Sequence, residues 1–252
     1  MRPYPISIEW PPKGLEGQAP VAACRAAVQN RFGLAPNAKI GVGIERFDYT
    51  KGVIDRLRAI DALLEEHPKW RGVFTFVQVA APTRSKLHSY RELHAEAMCL
   101  AEAINSRHGT GSYQPIHLLI RHHEPSEVLE LFRAADLCIV SSLHDGMNLV
   151  AKEFVASRDD DEGVLILSSF AGASRELSEA LIVNPYDKRQ MVGALDAALS
   201  MPIKEQRERM HLMRRQVREQ NVYRWAARML VDAGRMRQKR RIVDLSKAES
   251  RV

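Results

Sequence analysis

"DLCIVSSLHDGMNLVAKEF", residues 136–154, joins two kinds of pattern within one short stretch. An apolar run ends at Val140 and is typical of a buried strand, and a helical pattern begins near Met147. A strand that enters a helix through a short polar loop is the building unit of a parallel sheet, whose strands are connected by helices. The stretch therefore predicts an α/β protein.

The same alternation continues along the chain. Apolar runs rich in Val and Ile occupy residues 39–44, 72–80, 115–120, 136–140, 163–168 and 180–183. Helical patterns occupy residues 52–66, 85–107, 126–134, 147–158 and 187–199. Because the apolar runs are continuous rather than alternating, they indicate strands covered on both faces. We therefore predict a doubly wound, mostly parallel, Rossmann-like sheet, followed after Pro202 by a long charged helix that reaches Arg241.

Composition and local signals predict three parts. Residues 1–20 contain five prolines and form a connector, residues 21–215 form the Rossmann-like domain, and residues 216–252 form a C-terminal helix with a basic tail. The formal net charge is +6, and five of the basic residues lie within 235–241. No aromatic residue interleaves with them, so we expect a solvated helix and no nucleic-acid partner.

Several classes of protein are disfavoured. Cys24, Cys99 and Cys138 form no CxxC pair and are odd in number, which is typical of a reducing, cytoplasmic location. No run of about 18 apolar residues exists, so no membrane span is expected. His122 and His123 are adjacent and belong to no HxxxH motif, so neither a metal site nor another cofactor is expected.

The loop after the first predicted strand, within "GIERFDYTKGV", carries two cations. Arg46 and Lys51 flank a turn, and Gly52 is placed to open the next helix. Cations beside a helix N-terminus favour an anion such as phosphate, because the free N–H groups and the helix dipole add to their charge. The alternative is a surface ion pair of Arg46 with Asp48 or Asp55.

The loop "HDGMN" follows another strand and is also suited to a ligand. Gly146 allows a ligand to approach the backbone, and the first helical turn presents unpaired N–H groups. We expect those donors at four residues: Met147, Asn148, Leu149 and Val150. They would suit a phosphate or sugar hydroxyls, and Glu153, further along the helix, would accept hydrogen bonds from a diol such as ribose.

Other roles are open for the residues of this stretch. Asp145 is also suited to a helix N-cap, and Glu153 to an ion pair with Lys152 or Arg158 on a solvated face. Met147 lies at helical spacing from Val150 and Phe154, which predicts that its side chain faces the core. Gly172, in the later loop "SSFAGASREL", is placed either against a ligand or in a plain strand–turn–helix connection.

Four motifs in this order and spacing resemble one enzyme family. "ERFDYTKGV", "DGMNLVAKEFVA", "SSFAGASREL" and "ALIVNPYD" are similar to the trehalose-6-phosphate synthases, glycosyltransferase family 20, over roughly residues 4–230. The resemblance implies half of a two-domain GT-B fold. It also implies retaining transfer of glucose from UDP-glucose to glucose 6-phosphate, without a catalytic metal, to give trehalose 6-phosphate and UDP.

The resemblance implies roles for the matching charged residues. Arg46 and Lys51 would hold the donor diphosphate and stabilise the departing UDP. Asp145 would bind the hydroxyls of the donor glucose, and Glu153 those of the ribose. Arg84, in "APTR", matches an arginine that helps to bind the acceptor phosphate.

The resemblance also implies main-chain contacts and a missing partner. The backbone near Ile120 and Arg121 would bind uracil, and the amides from Met147 to Val150 would contact sugar and phosphate. The matched region is the C-terminal, donor-binding half, so a separate N-terminal half or a homo-oligomer would have to supply the acceptor side. Two alternatives stay open: the donor half of a glucosylglycerol-phosphate synthase, and a non-catalytic module that binds nucleotide sugars.

Overall fold

A computed structural model describes residues 4–83 and 87–249, with side chains up to residue 240. Its sheet has six strands: β1 Lys39–Arg46, β2 Phe74–Ala81, β3 Ile116–Leu119, β4 Leu137–Val140, β5 Val164–Ser168 and β6 Leu181–Val183. They lie in the order β3-β2-β1-β4-β5-β6, and every neighbouring pair is parallel. The predicted α/β class and the doubly wound parallel sheet are confirmed.

Eight helices surround the sheet in the described part of the chain. They are α1 Val21–Phe32, α2 Val53–Glu66, α3 His88–His108, α4 Pro125–Ala134, α5 Leu149–Ser157, α6 Lys188–Ser200, α7 Ile203–Glu219 and α8 Val222–Glu249. The sequence patterns did not indicate α1. Its only buried residues are Cys24 and Val28, so it carries no apolar stripe of the kind that marks an amphipathic helix.

The helices form one layer on each face of the sheet. Helices α1, α4, α5 and α7 enclose one core, in which the rings of Phe132 and Phe154 meet edge to face with centroids 5.8 Å apart. Helices α2, α3 and α6 enclose the other core, which includes Leu57 and Leu195. Successive strand side chains point to opposite faces, so β2, β4 and β5 contribute to both cores. Cys138 is buried, as expected of a core thiol.

The predicted long helix after Pro202 is in fact two helices. The chain breaks between α7 and α8 at Asn221, whose Oδ1 accepts hydrogen bonds from the backbone N–H groups of Tyr223 and Arg224, both at 3.1 Å. An Asn side chain that takes the first free N–H groups of a helix is a favourable N-cap, so it starts α8 anew. No helix in the described ranges is long and apolar enough to cross a membrane.

The N-terminal connector packs on α8 and α5. The N–H of Val222 donates to the carbonyl of Ile8 at 2.9 Å, and the indole of Trp225 donates to the carbonyl of Tyr4 at 3.1 Å. The amine of Lys152 donates to the carbonyl of Ile6 at 3.0 Å. These contacts hold the connector against the helix that follows β4.

Candidate functional site

A crevice is expected where β1 and β4 lie side by side. The chain leaves β1 towards β2 on one side and leaves β4 towards β5 on the other, and ligands of such sheets bind at this reversal, beyond the carboxyl ends of the strands. The two loops that flank it are in contact, because the N–H of Leu143 donates to the carbonyl of Thr50 at 2.7 Å. The topology thus brings together two predicted loops that are distant in sequence.

An ion pair between Lys51 and Asp145 joins these loops. The amine lies 2.6 Å from Oδ2 of Asp145, and each side chain is 16% exposed. Asp145 also accepts hydrogen bonds from the backbone N–H of Met147 and from the side-chain amide (Nδ2) of Asn148, both at 3.2 Å. Burial alone would raise the pKa of Asp145, but the bonds from Lys51, Met147 and Asn148 outweigh it and hold that pKa below its ordinary value.

The N-terminus of α5 differs in detail from the expectation. The helix begins at Leu149, and its N-cap is Asn148, whose Oδ1 accepts from the N–H of Ala151 at 3.0 Å. The N-cap role considered for Asp145 is therefore wrong. The expectation that Met147 faces the core is also wrong, because Met147 precedes the helix and is 48% exposed.

Three of the four expected amide donors are free. The N–H of Met147 donates to Asp145, whereas those of Asn148, Leu149 and Val150 have no acceptor among the residues that the structure describes. Three adjacent free donors at the positive end of a helix are suited to an anion or a row of hydroxyls.

Arg46 is an exposed cation at the end of β1. No ion pair joins its guanidinium to any described residue, so the alternative pairing with Asp48 or Asp55 is not formed. Asp48 instead accepts hydrogen bonds from Thr50 and from the hydroxyl of Tyr90. Arg46 and Lys51 therefore provide two positive charges on one loop, of which only Lys51 is engaged by a carboxylate.

Glu153 lies on the wall of a cavity of about 450 Å³ next to α5. The cavity is lined by residues of the connector, the loop before α4, α4 and α5, among them Ile8, His123, Val128, Phe132 and Leu149. Glu153 pairs with neither alternative partner, because Lys152 pairs with Glu176 and Arg158 with Asp160, each at 2.8 Å. Burial raises the pKa of Glu153. No ion pair joins Glu153 to a described residue, and most of the side chains that line the cavity beside it are apolar.

The loop after β3 is organised by Glu127, the third residue of α4. Arg121 donates to both carboxylate oxygens, at 3.1 and 3.2 Å, and Nδ1 of His123 lies 3.2 Å from Oε2. The side chain of Arg121 is exposed, and Ile120 lines a different cavity, of about 400 Å³, against α3. His123 also lines the Glu153 cavity, which the sequence did not indicate, because two adjacent histidines outside a metal motif do not mark a ligand site.

Gly172 packs directly against the backbone of the Asp145 loop. A Cβ added there would lie 2.1 Å from the carbonyl oxygen of Gly146, and the N–H of Gly172 donates to the carbonyl of Asp145 at 2.9 Å. The N–H of Ala173 donates to the carbonyl of Met147 at 2.7 Å. Only glycine allows this approach, so Gly172 is more than part of a plain connection.

Two further predictions concern binding groups. Arg84 lies outside the described residues. Within those residues, no group of three or more His, Cys, Asp or Glu side chains could hold a metal ion. The described groups can instead bind anions through cations and amides, and hydroxyl groups through carboxylates.

Comparison with known proteins identifies the family of the chain. The model of glycosyltransferase family 20 matches residues 2–235. The chain belongs to glycosyltransferase family 20. The resemblance inferred from the four motifs is thereby confirmed. A relative, the trehalose-6-phosphate synthase of Klebsiella pneumoniae subsp. pneumoniae, is 38% identical over 230 residues, which cover 91% of this chain and 48% of the relative.

Solved structures agree with the family assignment. An alpha,alpha-trehalose-phosphate synthase (UDP-forming) from Burkholderia xenovorans, in complex with glucose-6-phosphate, superimposes with a TM-score of 0.83 at 36% identity, covering 91% of this chain and 50% of that one. A structure described as trehalose-6-phosphate from E. coli bound with UDP-2-fluoro glucose gives the same values. The chain thus spans about half the length of the relatives it matches.

Proposed function

We propose that the chain binds UDP-glucose and forms the donor side of a retaining glucosyltransferase that makes trehalose 6-phosphate from UDP-glucose and glucose 6-phosphate. One observation carries the proposal. The crevice between β1 and β4 combines the Lys51–Asp145 pair with the free N–H groups of α5, and the Glu153 cavity lies next to the same helix. An end that binds anions and a cavity with a carboxyl group are complementary to a nucleoside diphosphate sugar.

The diphosphate would lie against Arg46, Lys51 and the free amides of Asn148 to Val150. In glucosyl transfer from UDP-glucose the negative charge develops on the departing UDP. Fixed cations and amide dipoles lower the barrier by stabilising that charge, and no nucleophile from the protein is required. Once phosphate shares the amine of Lys51, Asp145 is available to accept hydrogen bonds from the glucose hydroxyls.

The nucleoside would occupy the Glu153 cavity. Its volume of about 450 Å³ lies in the range of about 300–1,000 Å³ that is usual for small-molecule sites. The ribose hydroxyls would donate to Glu153, and the main chain near Ile120 and Arg121 would bind uracil. The structures of relatives in complex with UDP-2-fluoro glucose and with glucose-6-phosphate support this choice of substrates.

Transfer would require more than donor binding. Glucose 6-phosphate is a substrate in this proposal only together with an acceptor-binding half, either a separate N-terminal half or a second copy of the chain. Because the reaction takes place in a cleft that must exclude water, we expect the described donor side alone to bind UDP-glucose and to make little or no trehalose 6-phosphate. Rapid product formation by the chain alone would contradict this division of roles.

Titration calorimetry tests the donor site. We expect UDP and UDP-glucose to bind, and UDP to bind at least about 100-fold more tightly than uridine, because several charge-assisted hydrogen bonds to phosphate each contribute roughly 1.5–3 kcal/mol. Equal affinities for UDP and uridine would refute the anion site. No heat with any of the three ligands at millimolar concentration would refute donor binding altogether.

A further inference from the structure

A charged side chain is completely buried beneath the two loops of the crevice. Arg56 on α2 is 0% exposed, and its guanidinium binds both oxygens of Glu45, from β1, at 2.7 and 3.0 Å. It also donates to the amide oxygen of Gln78, from β2, at 2.7 Å. One side of the guanidinium is thus anchored on the neighbouring strands β1 and β2.

The other side of the guanidinium reaches the loops of the site. Its Nε donates to Oγ of Ser141 at 3.0 Å, and Nη2 donates to the carbonyl of Lys51 at 3.3 Å. The hydroxyl of Ser141 in turn donates to the carbonyl of Gly52 at 3.0 Å. Arg56 therefore links the peptide that carries Lys51 to the residue that follows β4.

Two glycines show how closely this network is fitted. A Cβ on Gly43 would lie 2.2 Å from Nη1 of Arg56, so the guanidinium fills the space that a side chain would need. Gly52 has a φ of +65°, and a Cβ there would lie 2.3 Å from the carbonyl oxygen of Ser141. A side chain at either glycine would displace the guanidinium or the backbone of Ser141.

Stability does not explain such a network. A buried ion pair loses the hydration of both charges, and well-packed apolar residues in its place are often as stabilising or more so. Sequence patterns do not reveal the network either, because Arg56 lies among apolar residues of α2 that pack in the core. The network therefore requires another explanation, and its position beneath the crevice provides one.

We propose that Arg56 is the positioning residue of the donor site. Its guanidinium holds the backbone of Lys51 against the end of β4, so that the amine stands beside Asp145 before the donor arrives. Groups that are preorganised in this way bind without a further cost of ordering. This inference rests on the proposed function, since it assigns to Arg56 the alignment of a phosphate-binding amine.

A double-mutant cycle tests the inference. Arg56→Lys keeps the charge but loses the planar fork that reaches several partners. We expect this substitution to weaken UDP binding by roughly tenfold, which is the effect of losing about one well-aligned hydrogen bond to a charged group. The affinity for uridine should be unchanged. In a Lys51→Met background the same substitution should cause little further loss, because Arg56 acts through Lys51. Calorimetry would be done well below the melting temperature of each variant.

A matched control lies on the same helix. Arg58 is exposed and pairs with Glu96 at 3.0 Å, so Arg58→Lys should change the affinity of neither ligand. If Arg56→Lys does not fold, Ser141→Ala removes the hydroxyl link to Gly52 and should again weaken UDP but not uridine. Wild-type chain that fails to bind UDP would refute the proposed function and this inference with it. Two results would overturn the inference alone, provided that the wild-type chain binds UDP. One is that the Arg56 and Lys51 substitutions weaken UDP binding independently of each other; the other is that Arg56→Lys weakens UDP and uridine binding equally.

Discussion

Replacing Lys51 by Met should weaken the phosphate contribution to binding and leave the nucleoside contribution intact. The substitution keeps most of the side-chain volume and removes the amine that lies 2.6 Å from Asp145. Hydrogen bonds to charged groups contribute roughly 1.5–3 kcal/mol, so UDP should bind about 10- to 100-fold more weakly. Uridine has no phosphate, and its affinity should be unchanged in the same calorimetric titration.

The same variant should be modestly less stable. Each partner of the pair is 16% exposed, so the pair is intermediate between a surface pair and a fully buried one. Removing one partner costs about 0–1 kcal/mol for a surface pair and roughly 3–5 kcal/mol for a buried pair. Asp145 keeps its bonds from Met147 and Asn148. We therefore expect the free energy of unfolding to fall by about 1–2 kcal/mol, or roughly 2–8 °C in Tm for a chain of this size.

The loss should depend on pH with a defined sign. The lowered pKa of Asp145 means that the ion pair stabilises the folded state above the ordinary carboxyl pKa of 3.8, and that this stabilisation is lost as the pH falls through the lowered pKa. Without Lys51, burial is opposed by fewer hydrogen bonds and the pKa of Asp145 rises. The difference in Tm between wild type and variant should therefore be largest at neutral pH and become smaller below about pH 4.

A second ion pair provides the control. Lys69 lies 2.8 Å from Asp196, away from the crevice and more exposed than Lys51. Lys69→Met should leave the affinity for UDP unchanged. Unaltered UDP binding by Lys51→Met, a parallel loss of uridine binding, or an equal effect of Lys69→Met would each refute the reasoning.

Three other substitutions separate the parts of the site. Glu153→Gln should raise Tm at pH 7, because burial penalises the ionised carboxyl, and this gain should disappear below the ordinary pKa of 4.5. The same substitution should weaken the binding of uridine and of UDP to the same extent, and a lower Tm at pH 7 would contradict the argument. Gly172→Ala should weaken the binding of UDP-glucose in calorimetry, because the added Cβ displaces Gly146. Gly193→Ala, in open space on α6, should leave that binding unchanged and the stability unchanged or higher by about 1 kcal/mol, so an equal loss of UDP-glucose binding in both variants would exclude the loop contact. Arg46→Gln should weaken UDP without changing Tm or uridine binding, since no described residue pairs with Arg46, and a large drop in Tm would reveal a structural role.

The strands were the most predictable part of the fold. Parallel strands buried on both faces need continuous apolar runs, and each of the six predicted runs overlaps an observed strand. The order of the strands does not follow from such runs, because it depends on which helices cover which face. Helix α1 was missed because it buries few side chains, and the break at Asn221 was missed because one Asn within a charged helical pattern does not show whether it caps a new helix.

The site could be located from sequence but not assembled. Polar loops after apolar runs indicated the edge of the sheet where ligands bind, and the family motifs indicated which residues belong there. The pairing of Lys51 with Asp145 joins residues 94 positions apart and follows from the neighbouring positions of β1 and β4. Asp145 and Asn148 are equally suitable as N-caps by residue type, and Asn148 is the cap because α5 begins at Leu149 and Oδ1 of Asn148 accepts from the N–H of Ala151. Arg56 was not indicated because its partners come from two strands and from the two loops that follow β1 and β4.

A crystal structure of the chain with UDP-glucose tests the central claim most directly. We expect the diphosphate within hydrogen-bonding distance of the amine of Lys51 and the first amides of α5, and the ribose hydroxyls on Glu153. A nucleotide bound instead in the cavity between β3 and α3, or one whose phosphates contact neither Lys51 nor α5, would contradict the assignment of this crevice as the donor site.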